Sequence, residues 1–333
     1  MTDAPNEPII QIAGLRVAFG AVPVLHGLDL DLRRGESVGM VGESGCGKSV
    51  TWLAALGLLP QHARISGSVR VAGEELLHAP SHRLDEIRGG RVAMIFQDPA
   101  SALNPVHKVG DQVIEALRLH RGLERNAARN EARRLFDQVG IPDATRRLDA
   151  YPHEFSGGQN QRIMIAMALA GLPDALIADE PTTALDVTIQ AQILDLLQQV
   201  QRETGMALVL ISHDLGIIGE VCQRVLVLYA GRVVEDAPVN SLFAEPSHPY
   251  TRGLLGALPS LDRPRHRLAA IPGVVPNGAD LPSGCPFAPR CELRFEKCRE
   301  AAIELAPVRD HGRHKSACLR VLGQPTIKED AAA

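Results

Sequence analysis

The sequence predicts an α/β fold built around a parallel sheet. Residues 37–41, 175–179 and 207–212 are short apolar segments typical of buried strands. Segments with helical periodicity lie beside the last two, at residues 188–203 and 214–221. Strands that alternate with helices are typical of parallel sheets, because the intervening helix returns the chain to the starting edge.

The remaining elements flank this predicted sheet. Residues 9–17, 24–32 and 68–72 are further strands, separated by Gly and Pro. Residues 111–140 are charged, Ala-rich and helical in period, which predicts a separate helical region. Residues 245–289 contain many prolines and little periodicity, so we place a domain boundary at about their start.

The composition is that of a folded protein with no electrostatic preference for nucleic acid. Of the 333 residues 45% are hydrophobic, and 35 basic residues are balanced by 39 acidic ones, for a net charge of −4. No apolar run approaches the roughly 20 residues that a membrane-spanning helix needs. The N-terminus lacks the basic and apolar regions of a signal peptide, which predicts a cytoplasmic chain that reaches a membrane only through a partner.

A phosphate-binding P-loop, G-x-x-x-x-G-K-[ST], lies between the strand 37–41 and a helix predicted over residues 48–58. Glycines let backbone amides curl around a phosphate, and the helix N-terminus adds partial positive charge. Lys48 would reach the β- and γ-phosphates, and Ser49 would bind Mg²⁺. The alternative is a chance Gly-rich turn, against which the flanking strand and helix argue. The predicted loop residues are Gly42, Glu43, Ser44, Gly45, Cys46, Gly47, Lys48 and Ser49.

Two carboxylates end the apolar strand 175–179. Asp179 fits the residue that holds Mg²⁺, and Glu180 fits the general base that activates the attacking water. Ligands bind at the carboxyl ends of parallel strands, which is where this pair would lie. By itself the pair could be a solvated strand end, and the upstream P-loop favours a functional role.

Ser156, Gly157, Gly158 and Gln159 precede an apolar helix predicted over residues 163–170. Such a segment alone could be an ordinary loop or a helix cap. Exposed amides and a hydroxyl at a helix start can also form a second anion site. Two phosphate-binding helix starts in one chain imply two ligands, or one ligand shared between two chains.

The tail contains four cysteines, Cys285, Cys291, Cys298 and Cys318. Disulfides are not expected in a reducing compartment, which favours a metal site. The spacings are looser than the tight knuckles of structural zinc sites and favour an iron–sulfur cluster, with zinc or unligated thiols as alternatives. The phosphate-binding motifs lie outside this segment, so we expect nucleotide binding to be independent of it.

The motifs, in their order along the chain, resemble the nucleotide-binding domain of ABC transporters over about residues 9–245. The matching parts are the P-loop 42–49, Gln97 of the Q-loop, the signature 156–160, the Walker B strand 175–180, the D-loop 183–186 and His213 of the H-loop. The resemblance implies a P-loop NTPase with a RecA-like core and an antiparallel β subdomain at residues 1–97 and 160–245. It also implies an ABC helical subdomain at residues 98–159 and a small irregular Cys-rich C-terminal domain at residues 246–333.

The resemblance also implies roles for single residues. Phe19 lies where the family has an aromatic ring that stacks on adenine, although core packing is the alternative. Gln97 would sense the γ-phosphate and contribute to the Mg²⁺ site with Ser49 and Asp179. His213 would contact the γ-phosphate and orient the water near Glu180. Further nucleotide contacts would come from Ser156, Gly157, Gly158, Gln159 and Asp186.

A family member of this kind works in an assembly. ATP and Mg²⁺ would be bound between the P-loop of one subunit and the signature of a second ATPase subunit in a head-to-tail dimer, and the resemblance favours a related paralogue as that second subunit. The helical subdomain would dock on two transmembrane permease subunits at the cytoplasmic face of the inner membrane, and an extracytoplasmic solute-binding protein would act indirectly. A soluble ABC ATPase and a module with an inactive ATP site are the rival interpretations, and no nucleic acid partner is expected.

The tail resembles that of oligopeptide and dipeptide permease ATPases, the Opp/Dpp type. The resemblance rests on residues 247–252, Leu254, Leu255 and Pro259, and on the four tail cysteines. It implies peptide import, with opines or metal chelates as alternative solutes, and a [4Fe–4S] cluster, since those relatives carry one. Two positions depart from the pattern: Asn160 after Gln159 in the signature, and Leu319 after Cys318.

Overall fold

The structure, a computed structural model, describes residues 7–98, 102–183, 185–258, 271–276, 278–300, 303–308 and 312–321. Ala184 of the predicted D-loop and Pro259 of the predicted tail element lie outside these ranges, as do residues 1–6 of the predicted core. Within these ranges no helix has both the length and the apolar character needed to cross a membrane.

The strands of the described residues form two sheets. β2, β1, β4 and β5 form an antiparallel sheet in that order. The other sheet has the order β11, β12, β10, β9, β3, β8, β7, β6, and its strands from β9 to β6 are parallel. The predicted α/β fold is therefore confirmed. In chain order the strands are β1 (Ile10–Phe19), β2 (Val22–Leu32), β3 (Ser37–Val41), β4 (Ala63–Val71), β5 (Glu74–Glu75), β6 (Val92–Ile95), β7 (Ala175–Asp179), β8 (Ala207–Ile211), β9 (Arg224–Tyr229), β10 (Arg232–Pro238), β11 (Ala306–Pro307) and β12 (Lys315–Ser316).

Helices cover the central sheet and form the region between β6 and β7. In chain order they are α1 (Lys48–Ala55), α2 (Ser81–Ile87), α3 (Val109–Arg121), α4 (Arg125–Gln138), α5 (Ala144–Arg147), α6 (Gly157–Leu169), α7 (Val187–Thr204), α8 (Leu215–Val221), α9 (Val239–Ala244) and α10 (Pro249–Gly256). The helices predicted beside β7 and β8 are found as α7 and α8. The helix predicted over residues 48–58 ends earlier, at Ala55.

The parallel strands are buried on both faces, which is why they read as continuous apolar runs rather than alternating ones. Every residue of β3, β7 and β8 is buried. Leu176 and Leu208 pack into one core cluster, while the neighbouring Ile177 and Val209 pack into the other. Successive side chains of a strand point to opposite faces, so the two clusters are the two sides of the sheet.

The predicted helical region 111–140 consists of two helices, α3 and α4. Gly122 separates them, because it adopts the left-handed conformation (φ 63°) that ends α3. A glycine is favoured there since a Cβ atom would be strained. Val113 and Leu117 of α3 and Phe136 of α4 are fully buried in a common core.

The C-terminal part of the chain packs on the central sheet. β12 pairs with β10, and the carboxylate of the fully buried Glu235 accepts hydrogen bonds from the backbone N–H groups of Ser247 (2.6 Å) and His248 (2.9 Å). Nε2 of His314 lies 2.6 Å from the same carboxylate. A buried carboxylate needs such partners to offset its lost hydration. The sheet therefore crosses the proposed boundary near residue 246, and the domain division stays a prediction.

Candidate active site

The P-loop joins the end of β3 to the start of α1. Gly42 has φ 152°, and a Cβ atom there would lie 2.2 Å from the carbonyl oxygen of Leu228. Gly47 has φ 103°, and its Cβ would lie 2.6 Å from a methyl group of Leu25. Only glycine fits this backbone, which brings the loop against β9 and β2.

The side chain of Lys48 is held inside the loop. Its Nζ donates hydrogen bonds to the carbonyl oxygens of Gly42 (2.7 Å) and Glu43 (3.3 Å), and the residue is only 7% exposed. Cys46 is also buried, and burial raises the pKa of its thiol although the nearby Lys48 charge opposes the rise. Cys46 is therefore a packed thiol, not the thiolate that a helix N-terminus favours.

Asp179 and Ser49 form a pair suited to a hard cation. Asp179 ends β7, is buried, and accepts a hydrogen bond from Ser49. Burial raises the pKa of its carboxyl, whereas the Ser49 hydrogen bond and the charge of Lys48 lower it. A carboxylate and a hydroxyl are oxygen ligands of the kind that Mg²⁺ prefers, and a bound cation would favour the ionised carboxylate.

Glu180 lies at the centre of a small polar cluster just beyond the strand ends. Its carboxylate accepts hydrogen bonds from Nε2 of Gln97 (3.1 Å) and the hydroxyl of Thr183 (2.9 Å). Nδ1 of His213 lies 3.5 Å from the same oxygen. Gln97, Glu180 and His213 follow β6, β7 and β8, so the order of the sheet brings together three residues predicted separately.

The signature residues form the first turn of α6. This helix begins at Gly157, so the helix predicted to start at residue 163 was placed too late. Ser156 is its N-cap: its hydroxyl accepts from the N–H of Gln159 (3.3 Å), and the Gln159 side chain accepts from the N–H of Ser156 (3.1 Å). Such a capping box stabilises the start of the helix, because it gives hydrogen-bond partners to two backbone N–H groups. Ser156 and Gly157 remain exposed.

The start of α7 packs against the signature residues at the start of α6. Asp186 is the N-cap of α7, and its carboxylate accepts a hydrogen bond from the N–H of Ile189 (2.9 Å). A Cβ atom on Gly158 would lie 2.7 Å from a methyl group of Ile189. The two helix starts therefore touch at a position where only glycine fits.

Phe19 ends β1, and a separate cavity borders the first residues of the P-loop. Phe19 is half-buried at the end of β1, with its ring centroid 6.0 Å from that of His62. A cavity of about 560 Å³ opens beside Glu43 and Ser44. Its walls come from β2, from the P-loop and from tail residues between 273 and 281.

The four tail cysteines line one small cavity. It has room for about 20 Å³, the space of about one water molecule. The thiols form no disulfide. Burial raises the pKa of Cys285 to about 11 and also raises the pKa of Cys291 and Cys318. Among the described residues, no three His, Cys, Asp or Glu side chains are placed to hold one metal ion.

Comparison with known proteins identifies the family. The ABC transporter family matches residues 25–183, and the oligopeptide/dipeptide transporter C-terminal region matches residues 234–298. A relative in Brucella abortus, named a peptide import ATP-binding protein, is 48% identical over 332 residues, which cover 95% of this chain and 98% of the relative. This chain belongs to the ABC transporter ATPases. Its C-terminal region puts it in the oligopeptide/dipeptide branch.

Solved structures agree with this assignment to the ABC transporter ATPases. CbiO1 from Clostridium perfringens, part of the ABC transporter complex cbiONQ, superposes with a TM-score of 0.62 at 27% identity, over 72% of this chain and 92% of that chain. The ATP-binding cassette MJ0796, in a dimeric post-hydrolysis state with ADP and Pi, gives a TM-score of 0.61 at 26% identity, over 69% and 98%. The predicted ABC fold and the predicted ATP hydrolysis are therefore confirmed.

The ABC transporter ATPase site also contains residues that the sequence did not predict. Arg290 and Tyr250 of the tail both contact Glu43 of the P-loop. We expected ATP binding to be independent of the tail, and these contacts show that the tail reaches the P-loop. The one signal in the sequence was Glu43, because a carboxylate in a phosphate-binding loop is stabilised by a nearby positive charge.

Proposed function

We propose that this ABC transporter ATPase binds and hydrolyses ATP at the P-loop 42–49, and that it energises the import of peptides. The observation that carries the site assignment is the convergence of Gln97, Glu180 and His213 beside the Asp179–Ser49 pair. A peptide substrate is supported by the oligopeptide/dipeptide C-terminal region and by the names of the relatives. Opines and metal chelates are the alternative solutes.

The site would bind the nucleotide through its phosphates. Backbone amides of the loop and the ammonium of Lys48 would hold the β- and γ-phosphates. Ser49, Asp179 and Gln97 would hold Mg²⁺, which neutralises negative charge on the phosphates. Phe19 lies at the end of the β1–β2 hairpin, from which its ring would stack on the adenine.

Hydrolysis would proceed by attack of one water on the γ-phosphorus. As the new P–O bond forms, Glu180 accepts a proton from the water, and the bond between the γ-phosphorus and the ADP oxygen breaks. Gln97 and Thr183 hold the carboxylate of Glu180 in place by donating hydrogen bonds to it. His213, next to that carboxylate, would orient the water and contact the γ-phosphate.

The exposed signature supports the proposed head-to-tail dimer. Ser156, Gln159 and Asn160 hydrogen-bond to groups within residues 152–160, and the N-terminus of α6 opens to solvent. A helix N-terminus with an exposed hydroxyl can bind a phosphate. We propose that it binds the ATP held by the P-loop of a second ATPase subunit, a related paralogue.

The remaining partners follow from the transport function. Two transmembrane permease subunits would receive the helical region around α3 and α4, and a solute-binding protein would deliver the peptide from outside the membrane. The chain would then lie as a peripheral subunit at the cytoplasmic face of the inner membrane. ATP would favour the closed dimer, and hydrolysis would remove that preference.

We also propose that the four tail cysteines hold a [4Fe–4S] cluster with a structural role. The supporting observation is that all four thiols line one cavity and form no disulfide. The four cysteines would supply the thiolate ligands that a [4Fe–4S] cluster needs, and the cluster would bring its own irons and sulfides. Thiolate coordination would also remove the cost of burying charged sulfurs.

Transport by the assembled complex tests the peptide assignment. The chain, its partner ATPase, the two permease subunits and the binding protein are reconstituted in liposomes and supplied with MgATP. We expect uptake of a labelled tripeptide and faster ATP hydrolysis when the tripeptide is present. Lys48→Ala should abolish both, whereas the exposed Lys315→Ala should not. If an opine or a metal chelate stimulates hydrolysis and peptides do not, the substrate is that solute and not a peptide. Hydrolysis that no solute affects would favour a non-transport ATPase.

A further inference from the structure

An ion pair joins the C-terminal tail to the P-loop. The guanidinium of Arg290 donates two hydrogen bonds to the carboxylate of Glu43, at 2.7 and 3.0 Å. The side chain of Arg290 is 4% exposed, whereas that of Glu43 is 32% exposed. Two parallel hydrogen bonds fix the carboxylate in orientation as well as in position.

The rest of the Arg290 side chain is fixed by the tail and by β9. Its Nε donates to the carbonyl oxygen of Pro272 (2.8 Å), and one Nη donates to that of Ile271 (3.2 Å). The other Nη lies 3.4 Å from the hydroxyl of Tyr229. A guanidinium held by so many acceptors has little freedom, so the partner it orders is the more exposed Glu43.

A second tail residue binds the backbone of the same P-loop position. The hydroxyl of Tyr250 accepts a hydrogen bond from the N–H of Glu43 at 2.9 Å. Tyr250 is fully buried, and its ring packs edge-on against Tyr229 with centroids 4.7 Å apart. The amide and the carboxylate of Glu43 are therefore both held by residues more than 200 positions away.

We propose that Arg290 and Tyr250 are positioning residues for ATP, which act on the nucleotide through Glu43. A free carboxylate next to Ser44 would repel the phosphates and compete for Lys48, whose Nζ already bonds to the Glu43 carbonyl oxygen. Arg290 neutralises this carboxylate and holds it in one orientation, while Tyr250 fixes the backbone at the start of the loop. This inference rests on the proposed phosphate site at the P-loop.

The unequal burial of the two partners predicts different effects of removing each one. Loss of Arg290 leaves a partly exposed carboxylate that can turn toward the phosphates, so it weakens nucleotide binding. Loss of the Glu43 carboxylate leaves a buried, unpaired guanidinium, so it loosens the tail. An ion pair that served only to anchor the tail would give the second effect in both cases.

MgATP titrations of the full-length chain test the proposal, with the ATPase of the assembled complex as a second readout. Arg290→Gln should weaken ATP binding about tenfold, which corresponds to about 1.4 kcal/mol. It should raise KM for ATP and leave kcat nearly unchanged, since Arg290 does not touch the water site. Arg290→Lys, which keeps the charge but loses the two parallel hydrogen bonds, should restore part of the affinity. The control is Arg313→Gln, an exposed arginine of the same tail beside a different cavity, which should bind as the unmodified chain does.

A double-mutant cycle separates positioning from anchoring. In the Glu43→Gln background the repelling carboxylate is absent, so adding Arg290→Gln should change ATP affinity by less than about twofold. Tyr250→Phe should raise KM without altering the Arg290 effect. The proposal is overturned if Arg290→Gln binds ATP as Arg313→Gln does, if Arg290→Lys behaves as Arg290→Gln, or if the tenfold loss persists in the Glu43→Gln background. Unchanged ATP binding in Lys48→Ala would instead reject the phosphate site itself.

Discussion

At the scale of single residues, Glu180 combines an unusual backbone conformation with the position proposed for the general base. It has φ 46°, which is rare for a residue with a Cβ atom, and its N–H donates to the carbonyl oxygen of Ile211 at 3.0 Å. This turn redirects the chain after β7, so that Asp179 stays buried while the next carboxylate reaches Gln97 and His213. Such strain commonly persists at active sites because the surrounding structure holds it.

Replacement of Glu180 tests its role as the general base. Glu180→Gln keeps a carbonyl oxygen that can accept from Gln97 and Thr183 but cannot take a proton from water. We expect ATP binding to be retained, turnover to fall by about 10²–10⁴-fold, and the ATP-bound dimer to accumulate. Steady-state ATPase assays and size-exclusion chromatography with MgATP measure these effects. Exposed Glu220→Gln is the matched control, and near-normal turnover of Glu180→Gln would reject the assignment.

At the scale of elements, the contact between α6 and α7 couples the signature to the D-loop. Gly158 in the first turn of α6 packs against Ile189 in the first turn of α7, and each helix has a side-chain cap at its start. The caps fix where the helices begin, and the glycine lets them touch. The signature and Asp186 are therefore held close together, which suits residues that would face the same nucleotide.

A methyl group added at this contact should separate the two helices. The Cβ of Gly158→Ala would lie 2.7 Å from Ile189, so we expect the free energy of unfolding to fall by about 1–3 kcal/mol. Urea unfolding followed by circular dichroism measures it. Gly157→Ala is the matched comparison, because its Cβ would meet Leu185 at an ordinary 3.9 Å. Adding Ile189→Ala should restore part of the loss in Gly158→Ala, and equal stability of the two alanine variants would contradict the packing described here.

Patterns that are local in the sequence predicted most of these elements. The strand before the P-loop, the helix after it and the strand ending at Asp179 follow from apolar runs and glycines, which act over a few residues. The start of α6 was misplaced because residues 157–162 are polar and apolar periodicity begins only after them. The capping box of Ser156 and Gln159 was the better guide to where this helix starts.

At the scale of the whole molecule, described residues of the tail pack against the ATPase core. Arg290 lies 247 positions from Glu43, and no local pattern could predict their contact. Phe287, three residues before Arg290, packs edge-on against Tyr229 of the central sheet, with ring centroids 5.3 Å apart. The segment that carries Cys285 and Cys291 is thus the segment that reaches the P-loop.

Removal of one cysteine should therefore affect both the proposed cluster and the nucleotide site. Chain purified without oxygen should be brown and contain about four irons, and Cys318→Ser should lose the colour because a [4Fe–4S] cluster needs four thiolates. Without the cluster, the segment that carries Cys285 and Cys291 should become more sensitive to proteolysis. KM for ATP should rise, but no further than in Arg290→Gln, because the cluster would act on the loop only through the ordering of Arg290.

Isolated Cys222 provides the matched control for this prediction. It is a buried thiol beside the core strand β3, remote in sequence from the tail, so Cys222→Ser should retain colour and iron despite any loss of stability. Iron analysis, absorption spectra, limited proteolysis and ATPase assays on both variants give the comparison. One zinc per colourless chain would reject the iron–sulfur cluster. A Cys318→Ser variant without iron but with an unchanged KM for ATP would show that the Arg290–Glu43 pair forms without the cluster. The contacts of Arg290 with Ile271, Pro272 and Tyr229 would then suffice to order the Arg290 side chain.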